Sequence, residues 1–215
     1  MRQPFRTTFR GTHQKHLQKH DCTPPLDPRC SQLCAKSREG AIDLAIRYGP
    51  LQDSTLSARK LAESPAVLVA APSYLEQSGA PESLEALTEH RCLTLHRANV
   101  PAVSWQLHGR GEVHTIPLDS PLCGNGYMAR RWTLAGMGIT LKSLFDVIDD
   151  LENGSLVRVL PDYLGAVSPI HAVFRSRRLQ PARVRALDAA ITARFAERAE
   201  RCRAWLNRTL NTENR

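Results

Sequence analysis

Ala66-Val67-Leu68-Val69-Ala70-Ala71-Pro72 is the stretch on which the reading of this chain turns. Six apolar residues in a row, closed by a proline, show none of the alternation of a strand with one wet face. They fit a strand covered on both sides. Ser57 to Leu61 leads into this run, and upstream Ala41-Ile42-Asp43-Leu44-Ala45-Ile46 reads as another buried strand, ended by the turn Tyr48-Gly49-Pro50. Downstream, Ser73 to Glu76 reads as a short helix, Ser83 to Leu87 as a helical turn after Pro81, and Cys92 to Leu95 as a short strand. Strand and helix alternate, which points to an α/β architecture.

The same alternation continues to the end of the chain. Trp105 to Leu107 and Val113 to Ile116 flank Gly109-Arg110-Gly111 and predict a hairpin. Asn125-Gly126 precedes a helix over Tyr127 to Ala135 that stops at Gly136. A strand over Gly138 to Leu141, a helix over Leu144 to Leu151 and strands over Leu156 to Leu160 and Pro169 to Phe174 follow. From Pro181 the apolar residues Val184, Leu187, Ile191, Phe195, Cys202 and Trp205 or Leu206 recur at helical spacing, with arginines expected on the solvated face.

Residues 1–40 are different. They show no hydrophobic period and carry the turn-forming cluster Thr23-Pro24-Pro25-Leu26-Asp27-Pro28, so a disordered N-terminal segment is expected there. His16, His20, Cys22, Cys30 and Cys34 offer zinc-ligand chemistry at no recognised spacing, and no metal or other cofactor is expected. No Cys-x-x-Cys pair occurs among the six cysteines, and no secretory or membrane-spanning segment is read, so a cytoplasmic protein is expected.

The net charge of +8 hides a division. Residues 1–40 hold 8 basic and 3 acidic residues, residues 41–170 hold 10 and 14, and residues 171–215 hold 11 and 4. An acidic body with basic ends argues against a DNA-binding face within the fold. Catalysis is not expected either, since no Gly-x-Ser-x-Gly elbow, phosphate loop, His-Glu-x-x-His helix or dinucleotide fingerprint occurs. Asp149, Asp150 and Glu152 are read as a solvated helix face.

Asp43 to Gly49, Leu56-x-Ala58-Arg59-x-Leu61 and Val67 to Leu75 resemble the effector-binding domain of LysR-type transcriptional regulators. The resemblance resumes at Arg131-Trp132-Thr133-Leu134-Ala135-Gly136-Met137-Gly138-Ile139 and runs through Asp146-Val147, Gly154-x-Leu156-Val157, Leu160-Pro161-Asp162, Ile170-x-Ala172-Val173 and Val184-Arg185-Ala186. It implies a periplasmic-binding-protein-like type 2 fold, with two Rossmann-like lobes and a cleft between them. Lobe I would comprise residues 41–71 with 168–206, and lobe II residues 72–167. The implied function is co-inducer sensing in transcription control, with a homo-oligomer formed through lobe I and DNA reached only through a helix-turn-helix domain. No helical pair or linker heptad is read before residue 41, so a truncated regulator is one expectation and a stand-alone solute-binding protein of the same fold is the other.

Ligands in such folds bind beyond the carboxyl ends of strands, where helix N-termini present free N–H groups. This selects Asn125 and Gly126 before a helix, with a plain N-cap as the alternative. It also selects the loop with Thr140, Lys142 and Ser143, where Lys142 reads more readily as a surface lysine. Arg47, at a strand end, could bind a carboxylate or pair with Asp43, and Arg97 is a further candidate. The effector expected from these donors is a small organic anion. Trp105 and Trp132 read as core.

Overall fold

The computed structural model describes residues 44–51, 57–97, 100–101, 104–119, 122–174 and 182–212. The expectations for residues 1–40, the zinc alternative among them, and for Asp43 fall outside these residues. In chain order the elements are β1 (Leu44–Tyr48), β2 (Ser57–Ala70), α1 (Pro72–Ser78), a 3-10 helix (Glu85–Glu89), β3 (Cys92–Arg97), β4 (Val100–Pro101), β5 (Ser104–Gly109), β6 (Glu112–Pro117) and β7 (Cys123–Gly124). They continue with α2 (Gly126–Leu134), β8 (Ile139–Ser143), α3 (Leu144–Glu152), β9 (Val157–Arg158), β10 (Leu164–Phe174) and α4 (Ala182–Thr212).

The apolar run is the inner end of one long strand. β2 takes in the Ser57 lead-in as well, and it lies near the middle of a sheet ordered β4-β3-β8-β2-β10-β5-β6, with β1 on β10. Its inner residues alternate between two cores. Leu68 and Ala70 join Tyr74, Leu87, Trp105, Leu107 and Ile139 on one face. Val67, Val69 and Ala71 join Leu144, Val147, Ile148, Ile170 and Cys202 on the other, which α3 and α4 cover. Both faces are dry because both carry helices or a folded-over hairpin, and this is why the sequence shows no alternation there.

The sheet is mixed. Parallel pairing occurs where β3 runs beside β8 and β7, and the other recorded pairs are antiparallel. The longest ladder joins β2 to β10, from Ser57 opposite Phe174 to Ala66 opposite Gly165, and the chain returns antiparallel after nearly a hundred intervening residues. β10 begins at Leu164, five residues earlier than Pro169 suggested. Conversely, the strand expected over Leu156 to Leu160 shrinks to β9, because Leu160 turns into positive φ (48°) and buries its side chain.

Local chemistry accounts for the turns. Arg110 and Gly111 both have positive φ (53° and 82°), the conformation that a two-residue hairpin between twisted strands requires. Gly138 is needed for close approach, since a Cβ there would lie 2.1 Å from the Arg91 carbonyl oxygen. Trp105 and Trp132 are buried as expected, while Leu187 on the expected α4 stripe is 52% exposed. No described helix is long and apolar enough to cross a membrane.

Candidate functional site

Three of the sequence-selected residues meet at the start of α2. Asn125 has extended backbone and caps the helix, its carboxamide oxygen accepting from the Met128 N–H at 2.9 Å. The N-cap reading is thus the observed one, and it leaves the first amides of α2 oriented outward. Lys142, on β8, reaches the same turn: its Nζ donates to the Gly126 carbonyl oxygen at 3.1 Å. A Cβ on Gly126 would stand 3.0 Å from that nitrogen, so the absence of a side chain makes room for the ammonium.

Lys142 is not the surface lysine that the sequence allowed. It is only 4% exposed, and its charge is met by Asp146 at 2.7 Å. The other oxygen of Asp146 accepts from the Tyr48 hydroxyl at 2.7 Å. Burial, with Asp146 next, holds the Tyr48 phenol in its protonated form well above the usual range. β1, α3, β8 and α2 are therefore tied by one polar chain: Tyr48, Asp146, Lys142 and the Gly126 carbonyl.

Thr140 and Ser143 flank Lys142 but serve the fold. The Thr140 hydroxyl is fully buried and donates to the Leu93 carbonyl at 3.0 Å. Ser143 donates to the Ser64 hydroxyl at 2.9 Å, and Ser64 in turn accepts from the Phe145 N–H that opens α3. Arg47 does not join the cluster. It precedes Tyr48 on β1, and successive strand side chains point to opposite faces, so it faces away from Asp146. Arg97 sits opposite Val100 in the β3–β4 ladder.

Asp146 and Tyr48 were not selected from sequence. Asp146 stands four residues after Lys142, a spacing that hints at a pair, but the strand-to-helix junction between them hid it. Tyr48 gave no signal. The solvated face read for α3 is corrected at Asp150, while Asp149 is exposed as expected. Asp150 is 5% exposed and bound by Arg130 through two contacts of 2.6 Å. Asp149 meets Arg198 at 2.7 Å and Arg201 at 2.8 Å, and Glu152 meets Arg201 at 2.5 Å. Hydrogen bonds from Arg198 and then Arg201 hold the Asp149 carboxyl below the ordinary range. Some arginines of the basic C-terminal stretch thus clamp α4 onto α3.

Other chemistry is sparse among the described residues. Burial pushes the thiols of Cys92 and Cys202 up to about 11, which makes poor nucleophiles of both. No group of three or more His, Cys, Asp or Glu side chains suited to a metal ion occurs among them. A hollow of about 470 Å³ lies between the 3-10 helix and β6, lined by Leu84, Glu85, Thr88 and Val113 to Pro117, and includes none of the selected residues.

Comparison with known proteins agrees with this architecture. The family model described as the LysR substrate binding domain matches residues 29–196. The HTH-type transcriptional regulator DmlR of Escherichia coli K12 is 37% identical over 157 residues, covering 73% of this chain and 51% of the relative. The HTH-type transcriptional activator TtdR of Escherichia coli UTI89 is 36% identical over 135 residues, or 62% and 43%. The chain spans about half the length of such curated relatives. Among solved structures, the regulatory domain of CrgA from Neisseria meningitidis has a TM-score of 0.64 at 28% identity, covering 74% of this chain and 78% of that one. Full-length AphB from Vibrio cholerae gives 0.56 at 31%, covering 71% and 50%. The match over most of the chain shows that this protein belongs to the LysR substrate-binding domain family, with its periplasmic-binding-protein-like type 2 fold.

Proposed function

We propose that this chain senses a small organic anion on behalf of a LysR-type transcriptional regulator, and that the anion binds beside Lys142 at the N-terminus of α2. The buried Lys142 ammonium carries the proposal. Lysine is almost never fully buried unless paired, and this one, paired with Asp146, sits over the first turn of a helix whose capped end favours negative charge. Two of its protons are engaged by Asp146 and Gly126, which leaves the third for a ligand. Asn125 holds the helix end in place, while Thr140 and Ser143 fix the backbone of β8.

An anion bound here competes with Asp146 for Lys142 and relaxes the hold of Asp146 on Tyr48. A ligand that favours one arrangement shifts the population toward it by its differential affinity. The long β2–β10 ladder supports a division into lobe I (41–71 with 168–206) and lobe II (72–167), with Tyr48 and Asp146 in contact across it. Homo-oligomerisation through lobe I, a cytoplasmic setting and operator contact through a helix-turn-helix domain belong to the same reading. The names of the relatives as HTH-type regulators, and the half of their length matched here, support it. The family consists of regulators, and no enzymatic role is proposed.

Calorimetric titration with a panel of small organic acids tests the site. Lys142→Met is expected to weaken binding about tenfold or more, as loss of a charge-assisted contact should. Arg203→Gln, on the exposed side of α4, should leave affinity unchanged. Equal affinities for the parent and Lys142→Met would refute the placement.

A further inference from the structure

We infer that the sheet face opposite α4 carries a second anion site, formed by Arg47 of β1, His171 of β10 and Lys60 of β2, which takes a small oxyanion with two negative charges. The ladder sets the geometry. Arg47 pairs with His171, and His171 pairs with Lys60, so the three side chains form one row across three strands. Their chain neighbours point the other way: Ile46 and Ile170 belong to the core beneath α4, and Arg59 binds Asp188 on α4. Paired side chains in a sheet stand about 5 Å apart, close enough for one ligand to touch two of them.

Among the described residues, two of the three lack the internal partners that the other half-buried cations have. Arg59, Arg130 and Arg198 are half-buried and each meets an aspartate. Arg47 is half-buried as well, yet among the described residues no carboxylate or carbonyl holds its guanidinium. The His171 Nδ1 is buried with no hydrogen-bond partner. Lys60 is met by Glu63, three residues along the same strand and half exposed. An orphaned buried nitrogen destabilises the fold, and the half-buried Arg47 beside it carries a positive charge, so an added anion stabilises the arrangement. The Arg47 fork suits phosphate or carboxylate oxygens. Ala45, Val173 and Ala58 form a parallel apolar row on the same face, two residues along each strand, which would flank the carbon chain of a dicarboxylate.

This site lies on the other side of β1 from Tyr48 and is independent of the proposed effector site. The test is to titrate the whole chain with inorganic phosphate and separately with succinate. The imidazole resonances of His171 are followed by NMR. Either anion should shift them saturably, and Arg47→Gln should weaken that response about tenfold or more. Arg47→Lys should restore part of it, and circular dichroism should show both variants folded. A response to phosphate alone assigns an inorganic oxyanion, whereas a tighter response to succinate assigns a dicarboxylate. No shift at His171 with either anion, or an equal shift in Arg47→Gln, overturns the proposal.

Discussion

Helix α3 and strand β1 handle charge in opposite ways. Asp146, Asp149, Asp150 and Glu152 on α3 are each met by a cation from another part of the chain, namely Lys142, Arg198 with Arg201, Arg130 and Arg201. On β1, Tyr48 spends its hydroxyl on Asp146, while the adjacent Arg47 has no partner among the described residues. The acidic helix is thus an internal fastener that gathers α2, α4 and β8. β1 is half fastened and half available, and availability rather than charge marks where an external ion can bind.

The contrast breaks most visibly at Asp146. Asp146→Ala strands the buried Lys142 ammonium and should destabilise the fold by about 3 to 5 kcal/mol, the usual effect of removing one partner of a buried pair. Lys142→Met replaces the charge with an apolar chain of similar length and should be far milder. Urea unfolding midpoints measure both. An Asp146→Ala variant no less stable than Lys142→Met would show that the pair is not a fastener.

A smaller effect is expected from acid. The Asp149 carboxyl titrates below its unfolded value, so its stabilisation is complete above the ordinary carboxylate range near pH 4 and is lost as pH falls through the depressed folded value. Melting temperature measured against pH should decline more gently below about pH 5 in Asp149→Asn than in the parent. Parallel curves would mean that Arg198 and Arg201 contribute nothing through Asp149. The smallest effect belongs to Arg47. Arg47→Gln should alter stability by less than about 0.5 kcal/mol without added anion, since no internal contact is lost. A larger loss would reveal a structural role and weaken the contrast.

How much of this was legible in the sequence follows from the range over which each signal acts. The β2 run, the Gly109-Arg110-Gly111 turn and the Asn125 cap are decided by a few adjacent residues, and all were readable. The antiparallel course of β10 was not, because its partner Ser57 to Ala66 lies about a hundred positions earlier. The same holds for the site. Gly126 and Lys142 could each be named from local context, but Asp146 and Tyr48 become relevant only once β1 is laid beside α3. The arginines of α4 looked solvated because the carboxylates that bind some of them are about fifty residues away.

The alternation along β2 also constrains how this chain can vary by descent. From Val67 to Ala71 each core draws on every second residue, so loss or gain of a single codon within that run would exchange the two sets, turning Leu68 and Ala70 toward α3 and Val67 and Val69 toward Trp105. Substitutions can accumulate there one side chain at a time, but length changes cannot. Insertions and deletions among relatives are therefore expected to gather in the connections between strands and to spare the inner end of β2.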